Sequence, residues 1–397
     1  MSPPGAFLAG HAAHPDPHMA LALAAAQVEA QRADRPGWAP TLGLLYLSEA
    51  HASQAPAVLA EAGQRWPGVH WAGCTAWGLA ADAAEYLDEP ALVLWLSDLP
   101  AAQWRGFDGR HPLADEAACC ALVHADPETP ELGELLHELA GRTSAQYLFG
   151  GLVSARTRRL HWSGRTALEG GLSGVAFGPG IELFSRVTQG CQPVGPTRTV
   201  TGAERHVVTT LDGQPALPLL LDDLGLSLER PQQAMAVLGQ TLVGLTDAGD
   251  DALDRGGQFG ADTRVRHLIG LDPLREAVAV GAEVQPGMAL AFCARHAEAA
   301  RRDLVRICAE LRDEVEGDGS APPRRILGAH YASCTGRGGP HFGGASEELR
   351  IIRHALGEVP LAGFFAAGEI AHHHLYGYTG VLTVFVGEAT AVEGSTR

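Results

Sequence analysis

The sequence predicts a mixed α+β protein with two sheet-containing domains, residues 1–204 and 205–397, each flanked by helices. Three observations lead there. The chain has 397 residues, 46% hydrophobic and 19% charged, which is ordinary for a globular protein of two or three domains. Short apolar runs of strand length alternate with segments of helical period along the whole chain. From Cys191 to Thr201 the chain is rich in Pro, Gly and Thr, which reads as a linker between the two halves.

The elements follow in order. His18–Arg32 is an apolar helical stretch ended by Pro36 and Pro40, and Thr41–Ser48 is a buried strand. Val58–Arg65 is helical, and Val69–Cys74 is a strand entering a Gly-rich turn. Leu92–Leu96 and Ala118–His124 are short apolar strands. Leu132–Gly141 is a helix closed by its glycine and leads to the strand Tyr147–Ser154. Leu172–Phe177 and Ile181–Val187 read as a hairpin around Gly178-Pro179-Gly180.

In the second half, Arg205–Leu211 is a strand running into the turn Asp212-Gly213, and Ala216–Leu224 is a helix. Asp247–Gly260 reads as an exposed loop, and His267–Leu271 and Ala277–Val280 as strands. Ala297–Asp313 is a helix with Leu304, Ile307, Cys308 and Leu311 on one face. Glu314–Pro323 reads as a mobile acidic loop. Ile326–Tyr331 is a strand, Glu347–Leu356 a helix and Val381–Val386 the last strand. A faint repeat runs through the chain: a strand entering a Gly-small-polar turn recurs at 71–78 (WAGCTAWG), 147–155 (YLFGGLVSA) and 361–369 (LAGFFAAGE). A relation between the two halves through this repeat stays open beside chance similarity of Gly/Ala-rich strands.

Composition removes whole classes of chemistry. All 29 basic residues are Arg, so Schiff bases, the phosphate-loop Lys and Ser-Lys dyads are excluded. Asn is absent too, which excludes a Cys-His-Asn triad. The formal net charge of -17 disfavours nucleic acid and anionic membrane as partners. Seven Cys without a CxxC suit reduced thiols of a cytoplasmic protein. The first residues lack the pattern of a secretory signal, and no apolar run reaches the ~18 residues of a membrane span. An Ala-, Gly- and Arg-rich chain is what a GC-rich bacterial genome writes.

Several motifs resemble one family. GCTAWG (73–78), the segments 190–217 and 269–295, CTGRG (334–338), GFFAAGEI (363–370) and LYGYTG (375–380) resemble, in order and spacing, the FIST family of prokaryotic sensory modules with N-terminal and C-terminal FIST domains. Two positions depart from its pattern: Tyr376 stands where members often carry His, and His296 where an acidic residue often follows the Arg. The resemblance implies signal transduction through sensing of a small molecule in the cytoplasm, with amino acids proposed as ligands. Many members carry an attached output domain; here the expectation is a separate signalling protein as partner, or binding alone.

The residues themselves point to the Gly-rich turns near the C-terminus. Arg337 can grip a carboxylate bidentately and Glu369 can accept an amino group, a combination suited to a zwitterion, although the two could equally pair with each other. Cys334, Thr379 and Tyr376 stand beside them, and Cys74, Thr75 and Ser154 occupy the corresponding turns of the first half. The alternative is a metal- or thiol-dependent enzyme using Cys334 or the Glu369/His372 pair, with His330 and His341 as further zinc donors. Adjacent His372, His373 and His374 cannot all face one metal, and the spacing fits no zinc pattern, so no metal and no cofactor are expected. There is no GxGxxG after a strand and no Ser-nucleophile elbow, hence no catalytic set.

Overall fold

The computed structural model describes residues 7–114, 118–227, 231–248, 263–317 and 322–389. They form two compact units. The first comprises 1–188, 304–375 and 379–397, and the second 189–303 with 376–378.

The first unit is built from one pattern used three times. The first copy runs β1 (Phe7–Ala13), α1 (Pro17–Arg32), β2 (Leu42–Ser48), α2 (Ala55–Arg65), β3 (His70–Ala76), the hairpin β4 (Gly78–Ala81) and β5 (Ala84–Leu87), then β6 (Ala91–Ser97). The second runs β7 (Trp104–Phe107), β8 (Ala118–Ala125), α3 (Leu132–Gly141), β9 (Thr143–Leu152), β10 (His161–Ser163), β11 (Ala167–Leu168) and β12 (Leu172–Phe177). The third opens with β13 (Glu182–Gln189), at which the chain passes into the second unit.

That second unit holds β14 (Cys191–Pro193), β15 (Arg198–Glu204), β16 (Val207–Leu211), β17 (Gln214–Pro215), α4 (Ala216–Leu224), α5 (Pro231–Leu238), β18 (Thr241–Thr246), β19 (Arg264–Asp272), β20 (Ala277–Val280) and β21 (Ala289–Arg295). Its strands follow the order β14-β21-β15-β16-β20-β19-β18, and β18 also pairs with β21. Strands β15, β16, β20, β19, β18 and β21 therefore close into a ring, with β14 attached to β21 outside it, and closure removes exposed edges from the ring strands. Val208, Leu211, Leu217, Leu220, Val243 and Phe292 fill its core.

The third copy resumes with α6 (Ala297–Glu316), β22 (Arg324–Cys334), α7 (Glu347–Leu356), β23 (Leu361–Ala366), the hairpin β24 (Glu369–His372) and β25 (His374–Tyr376), and β26 (Thr379–Glu388). The sheets reveal the equivalence. Their orders are β1-β6-β2-β3-β10-β11, β7-β12-β8-β9-β24-β25 and β13-β26-β22-β23-β4-β5. Each has a parallel pair (β2 with β3, β8 with β9, β22 with β23) joined through a helix, as parallel neighbours require. Each lends its hairpin to the next sheet and receives one in return. The registers match position by position: Cys74 lies opposite His161, Gly151 opposite Glu369 and Phe364 opposite Leu79.

The weak sequence repeat has its cause here. Gly73, Gly150 and Gly363 occupy one equivalent position, where a Cβ would stand 1.9 Å from the Leu45 carbonyl oxygen, 2.2 Å from that of Val123 and 1.8 Å from that of Tyr331. Each parallel pair is too close for any side chain there, so the Gly recurs while its neighbours drift.

The exposed edge at β1 is covered by its own helix. Gln27 and Gln31 lie one turn apart on α1. The Gln27 amide donates to the His11 carbonyl (2.8 Å) and accepts the His11 N–H (3.1 Å). The Gln31 amide does the same for Ala9, at 2.6 Å and 3.4 Å. Two glutamines thus stand in for a missing strand.

Three sequence expectations are corrected. Leu172–Phe177 and Ile181–Val187 do not form a hairpin: β12 pairs with β7 and β8, whereas β13 joins the sheet of β26. The Gly178–Gly180 turn hands the chain between sheets, held by Gln103, whose carbonyl accepts from Gly178 and whose side chain accepts from Gly180. The expected linker is not one, because β14 lies within it and β15 begins in it. Glu314–Glu316 are the end of α6 rather than a loop, and 318–321 lie outside the described residues. So does most of the Asp247–Gly260 loop, beyond Ala248.

Candidate functional site

The turns that follow the three parallel pairs converge. Ser154, after β9, accepts the Trp77 N–H from the turn after β3 (2.9 Å) and donates to the Phe365 carbonyl of β23. Trp77 packs edge-on to Phe365, with centroids 6.4 Å apart. The Leu152 N–H donates to the Gly368 carbonyl (2.8 Å) and the Ala367 N–H to the Leu152 carbonyl (3.1 Å). One hydroxyl therefore ties together one turn from each copy. This junction lies at the carboxyl ends of parallel strands, where open α/β sheets place ligands.

Glu369 is the chemically distinctive group there. Its Oε2 accepts the Thr379 hydroxyl at 2.7 Å and the Thr379 N–H at 3.1 Å. The Cys334 thiol is a further hydrogen-bond donor to the carboxyl, and Oε1 is buried. Burial pushes the carboxyl up to about 8, against the Thr379 bonds, the Arg337 charge and the Cys334 thiol, which all pull it down. A fully buried acid that titrates near neutrality can bind a cation or donor when ionised and donate when protonated. Leu79 and His161 hold the same position in the other two copies, both buried. His161 is satisfied by Ser173 Oγ (2.7 Å) and the Gly170 carbonyl (3.0 Å). A carboxylate stands there only in the third copy.

Arg337 is placed next to this cluster but faces inward. It is 1% exposed, and its Nε donates to Glu348 at 2.9 Å. Glu348 also accepts the Tyr331 hydroxyl (2.6 Å) and the Ser333 hydroxyl (3.1 Å), and the guanidinium lies 5.1 Å from the Phe342 ring centroid. In sequence Glu348 reads only as an acid favouring a helix start; its role as the partner of Arg337 has no sequence signal, because a Gly-rich loop separates the two. An open cleft of about 490 Å³ lies over that loop, lined by Glu85, Leu87, Gly339, Pro340 and Gly343. Glu85 accepts the Gly339 N–H at 3.0 Å.

The remaining sequence-selected residues divide. Ser154 belongs to the junction. The Thr75 hydroxyl is occupied by the Arg158 and Leu160 carbonyls (3.0 and 3.3 Å) and by the Leu160 N–H (2.9 Å), which locks the chain after β9 onto β3. Cys74 is wholly buried, and burial pushes its thiol well above the usual range. Tyr376 is buried and groups with the second unit. His330, considered above as a zinc donor, is instead hydrogen-bonded to Tyr46 in the core. Among the described residues no group of three or more His, Cys, Asp or Glu is placed to hold a metal ion.

The FIST N domain matches residues 41–214 and the FIST C domain matches 216–372. The chain belongs to the FIST family. FIST domains are associated with sensory signal transduction. The chain is also 33% identical over 389 residues to an uncharacterized protein of Mycobacterium tuberculosis (strain ATCC 25618 / H37Rv), covering 94% of this chain and 97% of that one. An uncharacterized protein of Mycobacterium bovis is 33% identical over 390 residues, covering 94% and 96%. The FIST N match enters the second unit at its end, and the FIST C match spans most of that unit together with the third copy of the strand pattern.

Proposed function

We propose that this FIST protein senses a small ligand at the turn junction and passes the signal to a separate protein in the cytoplasm. The observation that carries the reading is Glu369, a buried carboxyl titrating near neutrality on a rigid Gly-rich turn. Cys334, Thr379 and Arg337 frame it. Ser154 holds the same junction. A ligand with an ammonium or hydroxyl group, such as an amino acid, would meet the carboxyl. The described helices include none long and apolar enough to cross a membrane, and the net charge of -17 repels nucleic acid and anionic lipid.

Thermal-shift measurements against amino acids and other small metabolites test this. A ligand at 100 times its Kd stabilises by about 2.7 kcal/mol, which a melting curve reads directly. The expected result is a saturable rise in Tm for one ligand class, lost in Glu369→Gln although the variant's own Tm is at least that of wild type. A rise of equal size in Glu369→Gln, or no rise with any small metabolite, overturns the assignment.

A further inference from the structure

The three copies of the strand pattern meet at a second polar cluster, remote in chemistry from the turn junction. Tyr46 of β2, His124 of β8 and His330 of β22 are all completely buried. The Tyr46 hydroxyl lies 3.0 Å from His124 Nε2 and 2.8 Å from His330 Nε2. Each sheet thus contributes one member. Phe364 of β23 packs against all three rings, and Phe149 of β9 against His330.

The geometry determines the protons. A phenol has one hydrogen, so Tyr46 donates to one imidazole and accepts from the other. The accepting ring must therefore be the neutral Nδ1–H tautomer and the donating ring carries its proton on Nε2; buried with no carboxylate acting on it, the donating ring is neutral too, so the two are of opposite tautomer. Neither Nδ1 has a hydrogen-bond partner. A further proton on the accepting ring would put an N–H on both Nε2 atoms, strand the phenol hydrogen and leave a buried charge. The titratable groups facing the cluster are Cys74 of β3, toward Tyr46, and His161 of β10, toward His124. No carboxylate among the described residues acts on either ring to compensate that charge.

We infer that Tyr46, His124 and His330 form a pH-responsive latch that holds the three copies together while both imidazoles are neutral and releases them in mild acid. Burial lowers His330 to about 3, and lowers His124 with help from the neighbouring imidazoles. The unfolded chain takes up protons at the usual histidine value, so each neutral-locked ring makes the unfolding constant rise about 30-fold between pH 7.5 and 5.0.

The test uses the full chain labelled with ¹⁵N-histidine, together with urea unfolding at the two pH values. At pH 7.5 the ring-nitrogen shifts of His124 and His330 should show one Nε2–H and one Nδ1–H tautomer. The change in unfolding constant from pH 7.5 to 5.0 should be about 30-fold smaller in His330→Gln than in wild type. Two rings of the same tautomer, a protonated ring at pH 7.5, or equal changes in variant and wild type would each overturn the latch. Should His330→Gln fail to fold, the wild-type titration decides: both rings must stay neutral until the protein unfolds, and a midpoint near 6.5 in folded protein rejects the inference.

Discussion

Replacing Glu369 by Gln should stabilise the protein at alkaline pH, and the gain should grow with pH. The folded carboxyl titrates at about 8 against an ordinary value of 4.5, so the native state holds a proton that the unfolded chain releases. Stability from this group is fully present below 4.5 and is lost as pH rises through 8. Every pH step of one between those two values removes about 1.4 kcal/mol, which places the total on the order of 4–5 kcal/mol by pH 9. Gln keeps an acceptor for the two Thr379 donors and cannot ionise. The assay is urea unfolding of both proteins from pH 5 to 9, reading the difference between them so that all other titrating groups cancel. The difference should be small at pH 5 and swing by about 1.4 kcal/mol per pH unit toward Glu369→Gln above it. A difference independent of pH would refute the reasoning. So would a wild type that gains on the variant as pH rises, because Glu369 would then be held ionised.

Three other perturbations follow from particular contacts. Arg337→Leu should cost about 3–5 kcal/mol by leaving Glu348 buried without its cation, and the double variant with Glu348→Leu should lose less than the single one, as read by chemical unfolding. Gly363→Ala places a Cβ 1.8 Å from the Tyr331 carbonyl oxygen and should abolish soluble expression, whereas Gly68→Ala, with nothing within 4 Å, should express normally. Replacing Gln27 and Gln31 together by Ala uncovers the β1 edge and should produce concentration-dependent association in light scattering, with a stability loss of about 1–2 kcal/mol.

The reading of elements from sequence succeeded where burial on both faces leaves a continuous apolar run. The parallel strands around Leu44, Leu122 and Phe364 stand out for that reason, whereas the helices Leu132–Gly141 and Glu347–Leu356 stand out by an apolar stripe on one face. It missed the short hairpins β4–β5, β10–β11 and β24–β25, whose strands are two to four residues long and are stabilised by a sheet belonging to another copy. Of the proposed site, Cys334, Arg337, Glu369, Thr379 and Ser154 were legible as polar residues on Gly-rich turns. Glu348, Glu85 and the Tyr46–His124–His330 cluster were not, since each acts through a partner 11 to 284 residues away.

By itself the sequence determined the family, the mixed α and β content and the chemistry excluded by the absence of Lys and Asn. The family is carried by the resemblance of motifs in order along the chain, and the rest by local composition, periodicity and residue inventory. Only the tertiary structure decided that the strand pattern occurs three times, that each copy lends a hairpin to its neighbour, and that the 189–303 segment closes into its own ring of strands. Pairing of distant strands is set by shape and register across the sheet, and no window of sequence contains both partners. The same holds for Glu369: its type is written in the chain, but its titration near neutrality arises from burial, partly offset by Arg337 and Thr379, all of which the fold alone brings to it.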